Sequence, residues 1–400
     1  MKRFLLVVLL FSSLAPSLIS IAEAATKPVS VKELAKVIAA PGAEGLVTAG
    51  TSLITYSNLQ GATADVMVSA YSFTGAPLWQ KKIDAGIDEV ATAITTDPSG
   101  NIWIGGTSAT PVLADTSTAL VGIDNPDGVV VEQKSAPRAL LNRVTLWKIS
   151  PTGELLSTLS QAVDATPLVN AISVNSSGSS VIGELSNKAF LLSVNTSGTF
   201  SNVNFIGSGK SEITSLVRNT DGTINLFGSS TETLAGKKLV GIRDGVLIKV
   251  GKSGAITSVV RSSAPKAERS WLSADSSLLL SGTVQTGKIV ETALTKFAPT
   301  FNPIWTTRVA SQGISTAVTA GASSYLAISS KSPIAGVSGW KPAAPQLLLL
   351  SYSSKGLLDG AWSSGALSAP ISLAYSKVGG LFGLAVEGDQ SVSIFHLTSR

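Results

Sequence analysis

One pattern returns along most of this 400-residue chain. An alternating apolar strand leads into a small-residue turn with Gly and a second strand. After a gap come a third strand, an Asp/Asn-Gly turn and a fourth strand ending in Gly or Ser. The first hairpin reads VTLWKISPTG at 144–153, KAFLLSVNTSG at 188–198, GVLIKVGKSG at 245–254 and QLLLLSYSSKG at 346–356. The second reads DPSGNIWIGG at 97–106, NSSG at 175–178, DGTINLFG at 221–228 and a worn DSSLLLSG at 275–282. Apolar and polar residues alternate with the two-residue period of a half-buried strand. Asp, Asn and Gly tolerate the positive φ of tight hairpins. Only Val31 to Ala39 admits a short helix.

The turn glycines Gly75, Gly153, Gly198, Gly254 and Gly356 mark the period. Gly153 and Gly198 lie 45 residues apart, a common length for a four-stranded propeller blade. The extra length elsewhere falls after the fourth strand of a copy, in residues 107–143, 229–244 and 331–345. Insertions at one repeat position emerge on one face, often the binding face. Copies start near Asp65, Val144, Lys188, Val246, Val290 and Gln346. Residues 391–400 read as a first strand without a partner, and residues 33–61 as the rest of that blade. The expected fold is therefore all-β: a single β-propeller of seven four-stranded blades. Its N- and C-terminal strands close the ring, leaving no exposed sheet edge.

The chain starts with Lys2 and Arg3, an apolar run from Phe4 to Leu14, and small residues at Ala22 and Ala24. That is the three-part pattern of a Sec-type signal peptide. Cleavage is expected after Ala24, giving a leader at 1–24, a short lead at 25–32 and the propeller at 33–400. The expected location is secreted or extracytoplasmic, including the cell envelope. If retained, residues 4–22 are long enough to anchor the protein in a membrane. No later stretch is a spanning candidate.

Composition narrows the chemistry. With no Cys, the chain has no disulfide framework, thiolate site or Cys nucleophile. Its one His, His396, leaves little room for His-based metal or triad chemistry. Losing Lys2, Arg3 and Glu23 with the leader lowers the net charge from +5 to +4. The basic residues are scattered, whereas nucleic acid needs a concentrated basic face. Weak attraction to an anionic cell surface is what this charge supports.

DPSGNIWIGGTS at 97–108 and DGVLIKVGKSG at 244–254 resemble the bacterial secreted seven-bladed propeller repeat family. The resemblance covers most of residues 33–400 and is strongest in two or three repeats. AGAS at 320–323 and SKVG at 376–379 stand in place of the Asp-Gly turn. It implies a fold and an extracytoplasmic setting, with no defined activity. YSFTGAPLW at 71–79 is similar to the repeat of pyrroloquinoline-quinone propeller dehydrogenases, with Trp305 and Trp362 as looser echoes. The alternative for these Trp residues is packing between blades. DPSGNIW at 97–103 also resembles the repeat of seven-bladed streptogramin lyases. That family relies on a catalytic His and a carboxylate-held metal, and here the sole His is His396, read as a ring-closing strand residue.

Glu89, Glu212 and Glu268 each precede a third strand, which could put carboxylates near one mouth of the central channel to hold a cation or a sugar; the other four repeats show no matching acid, so the ring is incomplete. Their alternative is solvated loop ends. DNPDG at 124–128 and NTDG at 219–222 are turn formers without the carboxylate density of a calcium loop. Trp340 and Lys341, in a Pro-rich insertion, could contact a sugar or protein partner. The alternative is a Trp folded onto the rim. No nucleophile elbow, phosphate loop or zinc motif is present. The expectation is a monomeric, non-catalytic binding or scaffold module without a cofactor, meeting a protein or surface glycan through its long insertions. The alternative is a propeller enzyme or metal or small-ligand binder using channel acids.

Overall fold

A computed structural model describes residues 28–111 and 139–397. Every regular element among them is a β-strand. The stretch that admitted a helix is two strands, Val29–Glu33 and Ala35–Ala39. Edge pairing supplies the reason: Val31 pairs with Ala361, and Ala35 with His396. The chain is a single all-β propeller. The leader expected at 1–24 and residues 112–138 of the first insertion lie outside the described residues.

The strands form seven sheets. Residues 45–83, 89–162, 168–206, 211–262 and 267–310 each give one four-stranded antiparallel sheet. A sixth four-stranded sheet joins Leu367–Ser376, Gly380–Glu387 and Val392–Leu397 to Ala35–Ala39 from the other end of the chain. The sheet of residues 315–363 departs from the expected seven equal blades, for it has six strands. Val29–Glu33 lies parallel along its outer strand, and Val337–Ser338 of the third insertion lies parallel outside that. Apolar Val29, Val31 and Val337 pack there against the core of that sheet, which is what draws the N-terminal segment onto the edge.

The phase of the repeat also differs from expectation. Asp65, Val144, Lys188, Val246, Val290 and Gln346 lie in the third strand of their sheets, not the first. The strands that touch from sheet to sheet begin at Gly45, Glu89, Leu168, Ser211, Ala267, Ser315 and Leu367. Val392–Leu397 is therefore a third strand, and residues 45–60 belong to a different sheet. Both hairpins of the repeat carry equally strong turn signals, so the sequence does not say which of them is inner.

A shared bulge ties four neighbouring sheets together. The inner strand shifts register between Ala91 and Ala93, Val169 and Ala171, Ile213 and Ser215, and Trp271 and Ser273. Opposite each bulge stands a glycine: Gly106, Gly183, Gly228 or Gly282. A Cβ there would lie 1.9–2.0 Å from a carbonyl oxygen of the bulged strand. That contact explains the glycine that ends the motif at 97–106, 221–228 and 275–282. The bulged residue turns its side chain toward the next sheet. Thr92 donates to Val169 O at 2.6 Å, Asn170 to Ile213 O at 2.9 Å and Thr214 to Trp271 O at 2.6 Å. Asn58 brackets Ala91, accepting from its N–H and donating to its carbonyl.

The remaining neighbours are also bonded. Ala317 N donates to Ser273 Oγ, Ser329 Oγ to Ser368 O, and Thr48 Oγ1 to Tyr375 O. The outer strands dock by aromatic wedges. Trp79 lies against Gly153 and donates to Pro151 O at 3.1 Å; Trp305 lies against Gly356 and donates to Ser354 O at 3.1 Å. Both Gly153 and Gly356 have positive φ, 90° and 77°, so the turn needs glycine for its backbone as well as for the indole.

Candidate functional site

The three long connections all join the second and third strands of their sheets. In an antiparallel four-stranded repeat, that places them at the same end as the start of every inner strand. Tight turns occupy the other end. The long-connection end is the candidate site.

Its fully described centrepiece is the connection 231–243. Asp244, with no exposed surface, accepts from Val240 N at 2.9 Å and Gly241 N at 2.8 Å. Arg261 Nη1 sits 3.0 Å from the same carboxylate, with side-chain exposures of 6% and 0%. The guanidinium also donates to the carbonyls of Lys237 and Glu232. Leu234, within the loop, is buried. Glu232 accepts from Ser208 N, Lys210 N and the Ser208 and Ser211 hydroxyls. Burial opposes its ionisation, yet these donors hold it below the usual carboxylate range. The loop is thus fixed from below, while Val240 and Ile242 stand 58% and 57% exposed beside exposed Lys237 and Lys238.

Glu89, Glu212 and Glu268, read as preceding third strands, instead lie at the starts of the first, inner strands of their sheets. Glu89 is buried and accepts from Ala85 N at 3.0 Å. One of its oxygens lies within 4.8 Å of one oxygen from each of Asp65 and Asp84. Burial raises its pKa, the Ala85 N–H opposes this, and the Asp65 and Asp84 charges add to the rise. Glu212 and Glu268 lie elsewhere, flanking Arg243. Glu212 is 3.6 Å from the guanidinium, and Glu268 pairs with Arg243 through the backbone.

Sequence reasoning missed Asp65 and Asp84 as partners of Glu89. The only signal was the acidic spacing of 84, 88 and 89; Asp65 arrives from the third strand of the neighbouring sheet. Three carboxylates at this separation have the donor set for a hard divalent cation. Lys82 already answers it: its ammonium is 2.8 Å from Asp65 and 2.8 Å from Asp84.

Trp340 and Lys341 part company. Trp340 is 6% exposed and packs with Ile334 and Leu348, whereas Lys341 is exposed. Trp340 therefore covers the rim and offers no face to a partner. His396 is half-buried, stacked on Phe382 at 4.3 Å, with Nε2 2.6 Å from Gly379 O. These contacts hold its strand. Trp79 and Trp305 are the inter-sheet wedges described above.

No family model matches this sequence, and no curated protein matches it. Solved structures do resemble the fold. The Dos1 propeller shares 10% identity and a TM-score of 0.45, covering 93% of this chain and 84% of its own. The β-propeller domain of the Trilobed protease from Pyrococcus furiosus shares 9% and 0.47, covering 89% and 95%. The Pyrococcus horikoshii acylaminoacyl peptidase shares 10% and 0.48, covering 90% of this chain and 51% of its own. The first two are β-propellers, and that fold is what this chain has in common with them.

Proposed function

We propose that this protein is an extracytoplasmic, non-catalytic binding module that meets a partner protein through the face carrying its long connections. One observation carries the reading. Loop 231–243 is locked by the buried Asp244–Arg261 pair while it holds Val240 and Ile242 out in water. Ordering an interface loop normally costs binding free energy, and a prefixed loop avoids that cost. Exposed aliphatic side chains with a lysine border have the make-up of an interface core and rim.

The N-terminal pattern at 2–24 supports export. In this reading, Ala35–Ala39 paired with Val392–Leu397 closes the ring, so that the chain's two ends hold the recognition face in shape. N-terminal sequencing of the exported protein tests cleavage after Ala24, and light scattering tests the monomer.

The partner face is tested by photo-crosslinking on intact cells. One crosslinker replaces Ile242; a control replaces Thr257, at the tight-turn end. A discrete adduct from position 242 alone supports the reading. Identical adducts from both positions, or none, would overturn it.

A further inference from the structure

A second concave surface lies away from the long connections and is independent of loop 231–243. Between the sheet of 315–363 and the sheet that joins Ala35–Ala39 to residues 367–397 there is a groove of about 420 Å³. That volume falls within the ~300–1,000 Å³ of small-ligand sites. Its walls are Tyr325, Trp362, Asp359, Lys32, Glu33 and His396.

The two aromatic rings form the base. Tyr325 and Trp362 are half-buried, with centroids 6.4 Å apart and planes tilted by 41°. That tilt cannot sandwich a flat heteroaromatic ring. It leaves an indole face for the weakly positive C–H groups of a sugar, which suit the negative face of the π-system. The Lys32 ammonium lies 5.9 Å from the Trp362 ring centroid. It is exposed on a flexible stem, and such a contact is worth only about 0.5–1 kcal/mol, so a ligand can displace it.

Polar groups surround that face with capacity to spare. Asp359 accepts from Ser351 through one oxygen and keeps the other. Among the described residues, none hydrogen-bonds the Tyr325 hydroxyl or Trp362 Nε1, and none forms an ion pair with Lys32. The Tyr325 hydroxyl stays protonated, because burial and then the Asp359 and Tyr375 groups push its pKa up. The groove therefore offers two neutral donors, an ammonium and a free carboxylate oxygen around an aromatic floor. Asp359 and Glu33 against Lys32 make it slightly acidic, which disfavours anionic ligands.

We propose that this groove binds a pyranose ring of a neutral glycan. Its C–H face stacks on Trp362, and its hydroxyls bond to Asp359, Tyr325 and Lys32.

The test is an array of neutral hexose and N-acetylhexosamine oligosaccharides, with acidic glycans included, probed with the exported chain. Calorimetry follows on the best neutral binder. Trp362→Ala and Asp359→Asn are each expected to weaken binding at least tenfold. Asp359→Asn retains an acceptor for Ser351 and so guards against a simple folding defect. Trp103→Ala, which alters another groove between sheets, is expected to leave binding unchanged. Binding to acidic glycans alone, no neutral binder at millimolar concentration, or retention of affinity by both groove variants would overturn the proposal. Loss of binding in Trp103→Ala without loss in Asp359→Asn would do the same.

Discussion

Gly228 faces the carbonyl oxygen of Glu212 so closely that a Cβ on Gly228 would lie 2.0 Å from it. The same approach recurs at Gly106, Gly183 and Gly282. It exists because Glu212 leads into a bulge that sends the Thr214 hydroxyl to Trp271 O in the next sheet. A glycine on one strand thus permits a hydrogen bond between two sheets. Gly228→Ala should destabilise the protein by roughly 3 kcal/mol or more, since backbone cannot yield as a side-chain end can. Thr214→Val should cost about 1–2 kcal/mol by leaving a half-buried carbonyl unpaired. Chemical denaturation of both variants checks the ordering; equal, small losses would refute it.

The Asp244–Arg261 pair should matter more when halved than its geometry alone suggests. Arg261→Met leaves a fully buried carboxylate without its cation. Breaking such a pair typically costs about 3–5 kcal/mol. Limited proteolysis should then cut within 231–243, where the unmodified protein resists. Continued resistance would mean that the backbone donors Val240 and Gly241 suffice to hold the loop.

Glu89 gives a pH signature of definite sign. Its folded pKa is raised, so its charged form is disfavoured by folding. The penalty is fully present above the folded pKa and vanishes below the ordinary glutamate value. Glu89→Gln should therefore stabilise the protein at neutral pH, and the gain should shrink as the pH falls through the acidic range. Denaturation curves at several pH values measure it; a gain independent of pH would contradict the assignment.

Lys82 should act as a built-in counter-ion for Asp65, Asp84 and Glu89. In the unmodified protein, calcium is expected to leave Tm unchanged. Lys82→Ala should acquire a calcium-dependent rise, since a cation at 100 times its Kd adds about 2.7 kcal/mol. A calcium response in the unmodified protein would instead mark the cluster as a metal site.

Much of the fold was legible in the sequence, and the reasons are local. The alternation in 144–153 and the glycine turns at Gly153 and Gly198 are short-range signals, and they report strands and hairpins directly. The phase was not legible, because Asp97-type and Gly153-type turns look alike until one knows which strand lines the interior. Neither was the six-stranded sheet, which depends on Val29 and Val31 meeting residues more than 300 positions away. The common end of the three insertions followed from the repeat alone. The site chemistry did not: Glu89 was visible, but its partner Asp65 is delivered by the neighbouring sheet. Trp340 was visible too, yet only packing shows that it points inward. The groove at Tyr325 and Trp362 was hidden for the same reason, since its walls come from three separate parts of the chain.

In the function proposed above, a prefixed loop presents Val240 and Ile242 to a partner protein. The most direct measurement is the affinity of the partner captured at position 242 for the double variant Val240→Asp, Ile242→Asp. Both side chains already stand in water, so Tm should stay unchanged. Binding should weaken at least tenfold, equivalent to about 1.4 kcal/mol. An unchanged Kd with an unchanged Tm would mean that the partner does not bind through Val240 and Ile242.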